Sequence, residues 1–353
     1  MNGAHRGGSA RGGFLWRSGD RRGIWPGIAP PSPRSDHPAP PSRGPFAIRG
    51  AAGQAYLLLV VTTLSWGGNA VVSRAAVGEI SPMLLTAGRW ALVLAILAVF
   101  AGRTVLSHGA ELRARWRSIL ALGALGFTAF NALMYGAGHL TSAVNIALLQ
   151  GAIPIFVIAG AAMFQGADIR RGQVLGLVTT LAGVALVATQ GDPAQLLRFR
   201  FNPGDLLMLV ACILYAGYTL ALRGQPPGGG LWFFAGLAAG AFVTSIPLAA
   251  VEAGLGRSLG PTPTGWAILA FVALGPSFLA QVFYMRAIGL IGAARAGLFI
   301  NLVPVFGALL AVALLGEPFH AYHVLALSLV LAGVLASEAS ARAGRTDGEP
   351  PPR

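Results

Sequence analysis

The chain has no lysine: its 25 basic residues are all arginine. It has a single cysteine, Cys212, and only 10% of its residues are charged. Each scarcity excludes something. One cysteine allows neither an intrachain disulfide nor a thiolate metal site, and Cys212 lies in an apolar run, where an inert packed thiol is expected. Soluble domains carry about 25% charged residues. A chain of 353 residues that is 55% hydrophobic cannot hide so much apolar surface in water, whereas a bilayer can accept it. No HExxH or GxSxG motif is present and no acids cluster within an apolar run, so no metal, cofactor or catalytic centre is expected. His139 is read as a lone, solvated loop histidine.

The net charge of +13 does not indicate a nucleic-acid partner. The arginines cluster in tails and short loops, a positive-inside pattern rather than a phosphate-tracking groove. Residues 1–53 are rich in Arg, Pro, Gly and Ser, with eight arginines by Arg49. They contain no apolar segment of signal-peptide length and are read as a disordered cytoplasmic tail. A second polar tail covers 339–353.

Between the tails the hydropathy is nearly continuous, and a span needs about 20 apolar residues. Ten spans are expected near 55–75, 82–101, 118–137, 140–163, 172–190, 204–223, 230–250, 265–286, 290–314 and 319–338. Lipid offers nothing for unpaired backbone groups to bond with, so each span must be helical. With the N-terminus inside, nineteen arginines fall in cytoplasmic loops and tails and four (Arg74, Arg198, Arg200, Arg257) outside. Both termini are therefore expected in the cytoplasm. The Ala/Gly/Arg bias suggests a GC-rich bacterial genome, hence a bacterial inner membrane.

The chain also repeats itself. Ala152-Ile153-Pro154-Ile155-Phe156 is echoed by Leu302-Val303-Pro304-Val305-Phe306, 150 residues later. The same offset pairs Gly166 with Gly316, Trp116 with Trp266, and Leu181-Ala182-Gly183-Val184 with the identical Leu331-Ala332-Gly333-Val334. The expected units are residues 54–190 and 204–338, joined by a linker at 191–203. Five spans per unit is an odd number, so the second copy enters the membrane inverted. Secondary carriers commonly have this architecture, with a central site at the repeat interface.

These residues resemble the drug/metabolite transporter superfamily and, within it, the EamA-like ten-helix permeases. The resemblance rests on Trp66-Gly67-Gly68-Asn69, on Pro82 with Arg89, and on Leu149-Gln150 with Pro154-Ile155-Phe156. It rests also on Asn301-Leu302-Val303-Pro304-Val305-Phe306 through Leu315-Gly316-Glu317. It covers residues 55–338 and implies an all-α membrane fold and a cavity lined by the first, third, fourth, sixth, eighth and ninth helices. The family often has a Glu after the fourth helix, as Glu317 follows the ninth. Here Ala167 stands in that place, followed by Asp168.

Polar residues at helical spacing give the candidate site: Trp66 and Asn69 with Thr62 and Ser73, Asn131 and Tyr135 with Thr128, Tyr215 and Tyr218, and Gln281 and Tyr284 with Ser277. They either line a wet cavity or bond across helices as packing contacts; the tyrosines could instead be interface anchors. Arg89 lies about 10 Å into its span at 1.5 Å per residue. It is either a clamp between helices or the partner of an anionic or zwitterionic substrate. Arg295 either serves the site or snorkels to the headgroups. Gln150 and Asn301 sit near Pro154 and Pro304, whose missing N–H groups free the carbonyls of Gln150 and Ile300. The resulting kinks are gates or merely shape packing. No acid lies well inside a span; Asp205, Glu252 and Glu317 stand at span ends. Gly172 with Gly176, and Gly236 with Gly240, allow close helix packing or a dimer face, so monomer and homodimer both stay open. The function expected is transport of a small metabolite, most simply export. The alternatives are a membrane-embedded enzyme and a sensor or assembly protein.

Overall fold

The computed structural model describes residues 45–167, 170–192, 202–222 and 230–346. The expected tail before Pro45, residues 193–201 of the linker, Asp168, and Arg198, Arg200 and Arg223 lie outside the described residues.

Among the described residues ten helices are long and apolar enough to cross a membrane. They are α1 (Ala52–Ala75), α2 (Pro82–Ser107), α3 (Trp116–Ala137), α4 (Ala143–Gln165), α5 (Arg171–Ala188), α6 (Pro203–Leu222), α7 (Gly230–Gly254), α8 (Pro263–Ile291), α9 (Arg295–Leu315) and α10 (Ala321–Ser340). The main differences from the expected spans are at the ends. Helix begins already at Pro45, within the stretch read as a tail, and continues beyond α10 to Thr346. Alanine and arginine are good helix formers, so polar composition alone does not stop a helix there.

Local chemistry sets the boundaries. Pro82 and Pro263 open α2 and α8 at positions where a missing N–H costs nothing. Thr262 Oγ1 accepts the Gly265 N–H at 3.0 Å, and Ser142 Oγ accepts the Asn145 N–H at 3.1 Å at the start of α4. Gly166 (φ 63°) and Gly316 (φ 65°) end α4 and α9 in the left-handed conformation.

The repeat is visible in the irregularities. α3 widens into a π-helical segment at Gly123–Ala129, and α8 does so at Ala273–Leu279, 150 residues on. α4 is interrupted after Gln150 and resumes at Ile153, just before Pro154. α9 tightens into a 3₁₀ turn at Ile300–Leu302, just before Pro304. Helix contacts obey the same relation. α2 packs on α7, α4 on α9 and α5 on α10, while the contacts of α1 with α8 and α9 are mirrored by those of α6 with α3 and α4. The fold is therefore all-α, with ten transmembrane helices as two inverted five-helix repeats.

Both GxxxG pairs are used inside the chain. A Cβ on Gly176 would lie 2.3 Å from Gly333 O, and one on Gly240 would lie 2.8 Å from Ile119 O. These glycines bring α5 against α10 and α7 against α3. Below, the near face is the one from which α1 enters, and the far face the one at which α1 ends.

Candidate functional site

Arg89 of α2 is 4% exposed, and its guanidinium gathers residues from three other helices. Nε donates to Ser277 Oγ of α8 at 2.5 Å. Nη1 donates to Asn131 Oδ1 (2.6 Å) and Tyr135 OH (2.5 Å) of α3, and to Asn69 Oδ1 of α1 at 3.3 Å. Tyr135 OH donates in turn to Asn69 Oδ1 at 3.2 Å. All four partners are neutral. The Trp90 ring, 5.2 Å from the guanidinium carbon, adds a cation–π contact. Among the described residues no carboxylate is bonded to Arg89.

The π-helical segments place two of these partners. Pro276 has no N–H, so the Val272 carbonyl loses the donor that a regular helix would supply. Ser277 Oγ donates to that carbonyl at 2.5 Å, which fixes the hydroxyl for Arg89. The carbonyl of Pro276 accepts Trp66 Nε1–H at 3.0 Å. In α3, Asn131 Nδ2 donates to Phe127 O, inside the symmetry-related segment, at 2.5 Å, which turns Oδ1 toward Arg89. Bulges of this kind recur at functional sites because they re-aim side chains that a regular helix would stagger.

Aromatic rings extend the site. Trp66 packs on Tyr284 with centroids 5.4 Å apart, and Tyr284 lies within electrostatic reach of Tyr215. Tyr215 meets Tyr218 (5.3 Å) and Phe130 (5.0 Å), and Phe127 stacks on Trp90 at 4.5 Å. Close packing holds this arrangement. A Cβ on Gly67 would stand 2.7 Å from Gly307 N, so α1 and α9 meet backbone to backbone beside Trp66; a Cβ on Gly126 would lie 2.4 Å from the Tyr218 ring.

The structure thus brings Asn69, Arg89, Asn131 and Tyr135 into one network, with Trp66, Tyr215, Tyr218 and Tyr284 around it. Gln281, half-buried, is one helical turn beyond Ser277. Three expected residues make their contacts outside this network. Gln150 Nε2 bonds its own helix at Ile146 O (3.2 Å), Asn301 Nδ2 bonds Glu338 Oε1 (3.2 Å), and Arg295 is exposed. Ser277, visible in the sequence only as part of a polar stripe, is a direct partner of Arg89.

A second set of contacts ties the repeats together at the far face. Glu252, ending α7, accepts the Met83 and Leu84 N–H groups at the start of α2, both at 3.2 Å. Glu317 accepts the Ala143 and Val144 N–H groups at the start of α4, each at 2.9 Å. Both carboxylates sit where helix N-termini favour negative charge. Thr262 Oγ1 donates to Glu79 Oε2, and Asp205 Oδ1 accepts from Thr141 Oγ1 at 2.6 Å and from Asn145 Nδ2 at 3.2 Å. Each of these four acids in one repeat is held by the other. Beside Glu317 and the partners of Asp205 a cavity of about 710 Å³ is walled by Arg74, Asn145, Glu317, Tyr322 and His323, among others. None of the twelve residues expected to bind substrate lines it.

Comparison with known proteins gives a consistent picture. The EamA-like transporter family matches residues 53–189 and 202–337, one copy for each repeat. An uncharacterized transporter of Bacillus subtilis, YyaM, is 28% identical over 79% of this chain and 92% of its own length. A protein of Streptantibioticus cattleyicolor named a probable terminal-alkyne amino-acid exporter is 25% identical over 78% of this chain and 91% of its own. One solved crystal structure superposes with a TM-score of 0.56 at 23% identity, covering 84% of this chain and 99% of that one.

Proposed function

The chain belongs to the EamA-like transporter family, within the drug/metabolite transporter superfamily, and from that premise we propose that it carries a small amino-acid-like or other carboxylate-bearing metabolite across the bacterial inner membrane, outward and by alternating access. The observation that carries this reading is Arg89: a buried cation between the repeats, held by four neutral groups. An unpaired charge in the hydrocarbon region is costly. A substrate carboxylate supplies the missing anion, and the fork of Arg suits it. Asn69, Asn131, Tyr135 and Ser277 orient the guanidinium. Trp66 and Tyr284 offer an apolar wall for the remainder of the molecule, and Tyr215 offers a hydroxyl.

Alternating access follows from the inverted repeats. Each repeat adopts in one state the arrangement its mate adopts in the other, so the pocket opens first to one face and then to the other. The arginine bias supports cytoplasmic termini, and with that orientation the far face is external. The exporter name carried by the Streptantibioticus relative supports the outward direction.

The test is counterflow in proteoliposomes with a panel of labelled amino acids and short carboxylates. Wild-type protein accumulates at least one of them, and Arg89→Gln reduces that rate by about 10–100-fold. Full activity of Arg89→Gln toward every carboxylate accepted by the wild type overturns the reading.

A further inference from the structure

The far-face cavity is bounded by both repeats. Arg74 and the α3–α4 corner come from the first, and the α9–α10 corner, with Glu317, Tyr322 and His323, from the second. Its volume of about 710 Å³ falls within the range of small-molecule sites, about 300–1,000 Å³. Neither Arg89 nor any of its four partners is in its wall.

Three side chains of this wall keep hydrogen-bonding capacity that the described residues leave unused. Asn145 is 4% exposed. Its Nδ2 donates to Thr141 Oγ1 and to both oxygens of Asp205, at 3.2–3.3 Å, which fixes the amide and leaves Oδ1 without a partner. Donation to a carboxylate polarises the amide and makes Oδ1 a stronger acceptor. His323 is 2% exposed; its Nδ1 accepts the His320 N–H at 3.1 Å, which puts the ring proton on Nε2, and Nε2 has no partner. Buried groups of this kind are normally bonded. Arg74 is exposed, and among the described residues its hydrogen bond is from Nη1 to Gly138 O at 3.0 Å, so the rest of its N–H groups are available. Glu317, the acid in the same wall, has its oxygens engaged by the Ala143 and Val144 N–H groups.

A cation, a neutral donor and a polarised acceptor select the guest. A carboxylate answers Arg74 and His323 Nε2–H, and an ammonium group answers Asn145 Oδ1. A simple anion leaves Asn145 unanswered, and a simple amine leaves the other two. We propose that the far-face cavity is a second binding site, separate from Arg89, for a small amino-acid-like zwitterion, and that its occupant pins the two repeats together at that face. The guest bonds Arg74 and Asn145 in one repeat and His323 in the other, so it binds the closed arrangement better than one in which the corners have parted, and shifts the population accordingly.

The binding claim stands without the transport reading; the pinning claim rests on it. Binding is read on the purified full chain in detergent as the shift of the thermal midpoint with L-serine, and with acetate and ethanolamine, each of which carries one of its two charges. Arg89→Gln removes the central anion partner and isolates the second site. L-serine is expected to raise the midpoint of Arg89→Gln saturably, and acetate and ethanolamine at equal concentration to raise it far less. Adding Arg74→Gln, at an exposed position, or His323→Phe, which keeps a flat ring without the N–H, should weaken the apparent affinity about tenfold or more. An Arg89→Gln midpoint that L-serine, glycine and L-glutamine all leave unmoved, or an affinity that both added substitutions leave unchanged, overturns the site. Pinning is read in oriented vesicles. L-serine at the far face should slow wild-type counterflow of an accepted carboxylate by about twofold or more, and Arg74→Gln should relieve the slowing. No slowing of wild type, or equal slowing in Arg74→Gln, which means competition at Arg89, overturns the pinning. Absence of counterflow in wild type overturns the transport reading, and the pinning with it, and leaves the binding result standing.

Discussion

At the scale of single residues, Arg89 and its partners form one unit. A guanidinium presents several N–H groups in a fixed plane, which lets Nε reach Ser277 while Nη1 reaches Asn131 and Tyr135. An ammonium keeps the charge but cannot cover both positions. Arg89→Lys should therefore fall between wild type and Arg89→Gln, with a counterflow rate about tenfold below wild type. A rate equal to wild type would mean that charge alone matters and that the fork geometry is incidental. Gly67 makes a different demand. A methyl there would sit 2.7 Å from the Gly307 nitrogen, a backbone atom that cannot step aside alone. Gly67→Ala should lower stability by about 1–3 kcal/mol, read as a drop in the thermal midpoint in detergent. Gly102→Ala, inside α2 with open space around it, is the control and should leave the midpoint unchanged or raise it.

Among helices, the irregular segments matter most. Pro276→Ala restores an N–H that can bond Val272 O, in competition with Ser277 Oγ. Ser277 then loses its fixed orientation toward Arg89. The expected result is a helix at least as stable as before and a weakened substrate affinity, so thermal stability and counterflow should move in opposite directions. A parallel fall in both would place Pro276 in packing alone. Glu317→Ala removes the cap on two N–H groups of α4 and should cost about 1 kcal/mol of stability.

These elements were unequally legible in the sequence. The ten spans could be read because apolar length is a one-dimensional property, and most ends fell within a few residues. The repeat could be read because Pro154 and Pro304 keep their spacing. The π segments could not. Gly123–Ala129 consists of residues that also suit a regular helix, and Pro276 in the second copy was the single visible hint. For the same reason Ser277 stood only in a polar stripe: its contact with Arg89 depends on a local widening that helical spacing does not encode. Gln150, Arg295 and Asn301 show the converse. Depth within a span can be counted from the sequence, whereas the neighbour a side chain meets depends on how ten helices pack. The cross-repeat roles of Asp205, Glu252 and Glu317 escaped detection because a carboxylate at a span end looks like any solvated boundary charge.

For the whole molecule, the antiparallel repeats frame the proposed pocket between them, which each face reaches in turn. Five helices per repeat, matched irregularities and mirrored helix contacts support the antiparallel arrangement. The far-face carboxylates, each held by the opposite repeat, are placed to stabilise one closed state. At the near face Gln165 Nε2 donates to Leu220 O across the repeats at 3.4 Å, and Ala167 stands where a mate of Glu317 would sit. Closure of the far face should thus be the favoured resting state without substrate, and Glu317→Gln should shift the population toward opening on that side. The most direct measurement uses a cysteine at Gln281, one turn beyond Ser277, in a Cys212→Ala background. It is reacted with a membrane-impermeant thiol reagent from each side of oriented vesicles. Labelling is expected from both faces, strongest from the near face at rest, with protection from either side by a transported carboxylate. Labelling from one face only under every condition, or labelling that substrate leaves unchanged, would contradict a central pocket with alternating access.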